Sequence, residues 1–135
     1  MDFIFDNDRP IYLQLVEYLK LYIVSGKLQP GERLLSVREF ALQIKVNPNT
    51  VQKALGELEV SGLIYTERTN GKFVTKDQVL IEKIKKQLAK EKVEKYFSDM
   101  EKLGINNKDA IRYLQEIGGE LVWKNLSFIT MCIFE

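Results

Sequence analysis

The chain has no histidine and a single cysteine, Cys132, in 135 residues. The first absence removes Ser-His-Asp triads, Cys-His nucleophile pairs and zinc sites of the Cys/His kind. The second rules out a disulfide within one chain and suits a reducing cytoplasm, the compartment expected here. Charge of one sign is also missing: 20 basic residues face 19 acidic ones, for a net charge of +1. Dividing the sequence after Lys76 changes little, with ten basic and nine acidic residues before the break and ten of each after it. A nucleic-acid footprint therefore has to be local and not a whole-protein basic field. No apolar stretch reaches the roughly 18 residues that suggest a spanning helix. The N-terminus, Met1-Asp2-Phe3-Ile4-Phe5-Asp6, lacks the basic region and apolar run of a signal peptide, so no membrane partner is expected. With no phosphate-binding glycine loop and no catalytic cluster, neither an enzyme nor a cofactor or metal site is expected.

What the chain does have is periodicity. After Asp8-Arg9-Pro10, residues Tyr12, Leu15, Val16, Leu19, Tyr22 and Ile23 recur at helical spacing. Pro10 suits a first helical turn and Gly26 a stop. Gln29-Pro30-Gly31-Glu32 reads as a tight turn. Ser36-Val37-Arg38-Glu39 is a capping-box sequence, in which the serine accepts from the Glu39 N–H and the glutamate reaches back to the Ser36 N–H. A short helix follows, with Val37, Phe40, Ala41 and Ile44 inward. Asn47 is a good N-cap and Pro48 a good first residue for the next helix, whose inward face is Val51, Ala54, Leu55 and Leu58. The period then changes to alternation. Residues 63–67 and 72–75 read as strands, and Thr69-Asn70-Gly71 between them is turn chemistry. From Asp77 a helical stripe returns through Ile81, Ile84, Leu88, Val93, Phe97 and Met100. Gly104 ends it, Asn106 to Asp109 offer a cap, and a short helix carries Ala110, Ile111, Leu114 and Ile117 until Gly118-Gly119 stops it. The tail from Leu121 has no assignable conformation.

Helix, helix, short turn, helix and hairpin is the order of a winged helix-turn-helix. In that arrangement the helix from Asn47 enters the major groove. With Val51, Ala54, Leu55 and Leu58 turned inward, Asn47, Asn49, Thr50, Gln52 and Lys53 are left outward as groups suited to phosphates and base edges. Gln52 or Asn49 has the paired acceptor and donor that read adenine. Arg38 is placed to meet a phosphate or a guanine, and Arg68 and Lys72 flank the hairpin tip. Each assignment has a plainer counterpart. Ser36 and Asn47 serve as caps as readily as DNA contacts. Arg38 is an ordinary surface arginine in isolation, and Thr69-Asn70-Gly71 is also a plain hairpin turn. The stripe from Ile81 to Met100 is either intramolecular core or a dimer seam, and the small domain favours the seam. The lysines between positions 83 and 95 read as a solvated face, and Trp123, Phe128 and Phe134 as packing residues.

An ordered series of motifs carries a family resemblance. It runs through Pro10-Ile11-Tyr12-Leu13-Gln14-Leu15, Ser25-Gly26-Lys27-Leu28-Gln29-Pro30-Gly31-Glu32-Arg33-Leu34, Ser36-Val37-Arg38-Glu39, Val46-Asn47-Pro48-Asn49-Thr50-Val51-Gln52-Lys53-Ala54 and Leu58-Glu59-Val60-Ser61-Gly62-Leu63-Ile64-Tyr65. Over about residues 8 to 76 this resembles the DNA-binding domain of the GntR family, and the Asn-Pro-Asn-Thr-Val-Gln string is similar to its YtrA-type branch. The resemblance implies operator binding as a dimer. It places the contacting positions at Ser36, Arg38, Asn47, Asn49, Thr50, Gln52 and Lys53, with Arg68, Asn70, Gly71 and Lys72 on the wing. It also implies dimerisation through the short helical region and repression of operons for ATP-driven transporters. Two residues depart from the family pattern: Leu35 replaces a usual proline, and Thr69 replaces a usual first wing glycine, which bears on wing geometry.

The expected architecture is mostly α with a small β-hairpin. A winged helix-turn-helix occupies residues 1–76, and a short C-terminal helical dimerisation region with the unassigned tail occupies 77–135. The expected function is a sequence-specific DNA-binding regulator, a homodimeric repressor joined through residues 77–117, with room for an unknown small effector. The alternative is a winged-helix protein-interaction module without specific DNA binding. It requires an apolar or acidic recognition face, whereas this one bears amides and a lysine.

Overall fold

The computed structural model describes residues 2–134, with side chains as far as Lys124. The polypeptide forms two compact units, Met1–Gln87 and Leu88–Glu135. Helix α1 (Ile11–Val24) buries Leu15, Val16, Leu19 and Ile23. Pro10 stands one position earlier than a first-turn residue, as the N-cap with φ −54°. Gly26, at φ +82°, reverses the chain, and the Leu28 N–H donates to the Tyr22 carbonyl at 2.9 Å.

The segment before α1 is held by Gln14, a nearly buried side chain at 2 % exposure. Its Oε1 accepts from the Asp6 N–H at 2.9 Å. Its Nε2 donates to the Asp6 carbonyl at 3.0 Å and the Arg9 carbonyl at 2.9 Å. Buried polar groups need such partners, because an unpaired amide costs more than a made hydrogen bond returns. The Tyr18 hydroxyl adds a 2.6 Å bond to the Ile4 carbonyl, and Phe3 stacks on Tyr22 at 5.6 Å between ring centroids.

Helix α2 (Val37–Ile44) begins with both halves of the capping box in place. It ends at Lys45, whose φ of 56° makes it the one non-glycine left-handed position among the described residues. Helix α3 (Pro48–Val60) follows, with Pro48 in its first turn and the Asn47 side chain accepting from the Asn49 N–H at 2.8 Å. It packs on α1 and α2 through Val51, Ala54, Leu55 and Leu58, all at 0 % exposure. Phe40 fills the same core. Each fully buried leucine or phenylalanine of this kind contributes about 1.5–3 kcal/mol.

Strands β1 (Ile64–Glu67) and β2 (Gly71–Val74) form the antiparallel hairpin, in register Ile64↔Val74 to Glu67↔Gly71. A short segment before α2 adds a third rung, with Arg33 bridged to Phe73 and the Leu34 N–H donating to the Lys72 carbonyl at 2.8 Å. This is the winged helix-turn-helix expected from the order of elements.

Helix α4 (Gln78–Lys102) starts with the Asp77 carboxylate accepting from the Leu80 N–H at 3.1 Å. Ile81, at 5 % exposure, is part of the N-terminal core, and Ile84 packs against it. These two residues of the expected seam are therefore intramolecular, and the N-terminal unit extends past Lys76 to Gln87. In the second unit the Tyr96 hydroxyl donates to the carbonyl of the buried Ala110 at 2.7 Å. Gly104 (φ +79°) ends α4 as expected.

Helix α5 (Asn107–Phe134) corrects the reading of the C-terminus. It runs through Gly118 and Gly119 where a stop was expected, and it takes in the tail from Leu121. Two glycines cost a helix about 1 kcal/mol each but do not forbid it, and Glu120 to Trp123 offer no competing turn chemistry. Trp123 is 71 % exposed and is not packed among the described residues. The side chains of Phe128, Cys132 and Phe134 lie outside the described residues. Among the described residues no helix is long and apolar enough to cross a membrane, and no cluster of acidic or cysteine side chains is placed to hold a metal.

Candidate nucleic-acid interface

Burying one face of α3 fixes what the other presents. Asn49, Gln52 and Lys53 are exposed, Thr50 is half-buried, and Asn47 is exposed at the helix start. The Asn47 carbonyl oxygen is committed to its cap, which leaves the side-chain NH₂ outward. Asn49 and Gln52 carry no protein hydrogen bond from their side chains among the described residues, so both ends of each amide are available to a ligand.

Lys53 is held differently. Its ammonium sits 3.7 Å from the centre of the Tyr12 ring. An exposed cation–π contact of this sort contributes about 0.5–1 kcal/mol. Tyr12 packs on the core, so α1 fixes the direction in which the recognition-helix lysine leaves the surface.

At the start of α2 the Ser36 hydroxyl accepts from the Glu39 N–H at 3.2 Å, and the Ser36 N–H donates to the Glu39 carboxylate at 2.8 Å. The Ser36 N–H first and the Ser36 hydroxyl beside it second hold the Glu39 carboxyl below the ordinary glutamate value, with nearby Arg33 adding to the effect. Ser36 is thus engaged in the cap. Arg38, the second residue of the same helix, is exposed and has no ion-pair partner among the described residues.

The hairpin tip brings the remaining candidates together. Arg68, Thr69 and Asn70 form the loop and are exposed. Asn70 donates to the Glu67 carboxylate at 3.1 Å. Gly71, at φ +101°, is the only residue of the hairpin with a positive φ. Thr69 therefore avoids the left-handed conformation that makes glycine useful, and its departure from the family pattern introduces no backbone strain.

Lys72 does not stand free. Its ammonium lies 3.3 Å from Glu59 on α3 and 2.9 Å from the Thr66 hydroxyl, and the side chain is only 17 % exposed. Thr66 in turn donates to Glu59 at 2.6 Å. The Thr66 hydroxyl, with Lys72 adding to it, holds the Glu59 carboxyl below its ordinary value against the opposing effect of partial burial. The family resemblance places Lys72 among the contacts. The structure makes it a strut between wing and recognition helix.

Four participants escaped the sequence reading: Glu59 and Thr66 in this strut, Tyr12 beneath Lys53, and Arg33 alongside Gly71. A Cβ placed on Gly71 would lie 3.5 Å from the Arg33 Nε. No spacing rule links position 59 to position 72, or position 33 to position 71, because those pairs meet only across the sheet and the core.

Comparison with known proteins agrees with this geometry. Residues 11–74 match the family described as bacterial regulatory proteins, gntR family. The chain is 36 % identical over 111 residues to the HTH-type transcriptional regulator YhcF of Bacillus subtilis, covering 82 % of this chain and 92 % of that one. It is 33 % identical over 116 residues to the HTH-type transcriptional repressor YtrA of the same organism, covering 85 % and 89 %. A solved GntR family transcriptional regulator from Listeria monocytogenes superimposes with a TM-score of 0.76 at 44 % identity, over 83 % of this chain and 98 % of that chain. The capped helix pair, the polar outward face of α3 and the hairpin beside it are thus those of a DNA-binding transcriptional regulator, and the chain belongs to the GntR family, as a member of YtrA type.

Proposed function

We propose that the chain is a homodimeric repressor that reads a pseudo-palindromic operator, with α3 of each protomer in a major groove. The observation that carries this reading is the division of α3. Its side chains Val51, Ala54, Leu55 and Leu58 are at 0 % exposure, and Asn49, Gln52 and Lys53 are left on the opposite face with Arg38 at the start of the neighbouring helix. Asn49 and Gln52 read base edges, Arg38 and Lys53 meet phosphate or guanine, and the wing with Arg68, Asn70 and Gly71 meets the adjacent backbone or minor groove. Ser36, Asn47 and Thr50 set the helix starts against the phosphates.

Dimerisation is supported by a stripe of α5. Ile111, Leu114, Ile117 and Leu121 recur at helical spacing and are 47, 45, 52 and 57 % exposed in the single chain. Leaving such a stripe in water is unfavourable, and a second copy would cover it. With Ile81 inside the N-terminal core and Ile84 packed against it, the seam falls on α5 and the later part of α4. As the resemblance to the YtrA-type branch implies, the regulated operon would encode an ATP-driven transporter.

Fluorescence anisotropy on DNA upstream of the chain's own operon tests the reading. Operator binding should fall steeply with salt and exceed binding to scrambled DNA, with half-sites about one helical turn apart or a multiple of it. Arg38→Ala should weaken it by about tenfold, corresponding to roughly 1–2 kcal/mol. Equal affinity for operator and scrambled DNA would remove the specific-operator claim.

A further inference from the structure

The hairpin sequence offers two cations to DNA, Arg68 and Lys72, but one of them is spent. The Lys72 ammonium is neutralised by Glu59 and mostly covered. A cation from a different part of the chain lies alongside the hairpin tip. Arg33 belongs to the segment between the turn at Gly31 and the start of α2. Its backbone is fixed to β2 by the bridge to Phe73. On one side the Leu34 N–H donates to the Lys72 carbonyl at 2.8 Å, and on the other the Glu32 backbone carbonyl accepts from the Val74 N–H at 2.9 Å. The side chain runs along Gly71, where an added Cβ would meet Nε at 3.5 Å and Nη2 at 3.7 Å.

Arg33 is exposed, and no carboxylate lies within 4.0 Å of its guanidinium among the described residues. The Glu39 carboxylate feels the Arg33 charge but makes no ion pair with it, and the Glu59 carboxylate is paired with Lys72. The guanidinium therefore has a rigid base, an unspent charge and a planar fork of donors suited to two phosphate oxygens. Gly71 carries no side chain to screen it from a backbone drawn up to the wing.

We infer that Arg33 is the anchored phosphate-binding cation of the wing, in the place that the sequence of the hairpin assigns to Lys72. This rests on the DNA-reading function proposed above, and its test separates the two. Anisotropy titrations over a range of salt would compare wild type, Arg33→Gln and Arg33→Lys on operator and scrambled DNA. Thermal melting would check that both variants fold. Each phosphate neutralised on duplex DNA contributes about 0.9 to the slope of log affinity against log salt. Arg33→Gln should lower the slope by about that amount per protomer and weaken binding on both DNAs alike. Arg33→Lys should restore the slope while regaining only part of the affinity, because it returns the charge without the fork. Operator preference in the wild type with an unchanged slope in Arg33→Gln overturns the assignment and leaves the DNA-reading function standing. No operator preference in the wild type overturns that function itself. On the same DNAs, loss of affinity confined to the operator would make Arg33 a base-reading residue and likewise overturn the assignment to phosphate.

Discussion

Gly56 sits in the interior of α3, where glycine is a poor choice, and its replacement by alanine should raise stability. The position has ordinary helical backbone, since it is absent from the residues with positive φ. An added Cβ would meet nothing within 4 Å. Neither strain nor a clash therefore offsets the gain in helix propensity, about 1 kcal/mol for glycine to alanine. For a unit the size of the N-terminal one this corresponds to a rise of roughly 4–8 °C in Tm. Melting followed by circular dichroism, or urea titration of wild type and Gly56→Ala side by side, measures it. An unchanged or lowered Tm would refute the reasoning, because it would mean that the space beside Gly56 is filled in the folded protein. DNA affinity of the same variant carries a second message. Position 56 follows Gln52 by one helical turn and shares its outward side. A stabilised variant with weakened operator binding would indicate that the helix backbone comes close to DNA there, and that the glycine trades stability for approach.

Ser36→Ala removes the acceptor of the Glu39 N–H and should cost about 1 kcal/mol, seen as a lower Tm, while Ser36→Thr should recover most of it. Gln14→Ala breaks three hydrogen bonds that hold the segment before α1. At about 1 kcal/mol each, less what water restores, the loss is roughly 1–3 kcal/mol; limited proteolysis should then cut before Pro10, and an unchanged cleavage pattern would count against the anchor. Glu59 supplies a pH signature. Its folded pKa lies below the ordinary 4.5, through the Thr66 hydroxyl first and Lys72 next. Its contribution is present above the ordinary value and is lost as pH falls through the depressed one. The Tm difference between wild type and Glu59→Gln should hold from neutral pH to about 5 and shrink below about 4. A difference independent of pH would place the effect of Glu59 elsewhere.

What could be read from the sequence was local chemistry. The capping box at Ser36 and Glu39, the Asn47-Pro48 helix start and the hairpin closing on Gly71 each depend on residues a few positions apart, and each stands where the pattern put it. The outward set on α3 was legible for the same reason, since 3.6-residue periodicity sorts a helix into faces without knowledge of its neighbours. Sequence patterns said less where the outcome depends on distant parts. Ile81 and Met100 belong to one apolar stripe, but only tertiary packing decides that Ile81 joins the N-terminal core. Lys72 reads as a free cation until the fold brings Glu59 beside it. Gly118 and Gly119 read as a stop because propensity is a weak prior, and the residues after them are content to remain helical.

Lys45 holds the turn between α2 and α3 in a left-handed conformation that asparagine or glycine would adopt at lower cost, by about 1 kcal/mol. In evolutionary terms this is stability left in reserve. A regulator acquires a new operator by changing side chains such as Asn49 and Gln52, and such changes commonly weaken the domain that carries them. Lysine and asparagine codons differ by one base. A lineage whose recognition face drifts thus has a compensating step one mutation away, at a position that need not itself read DNA.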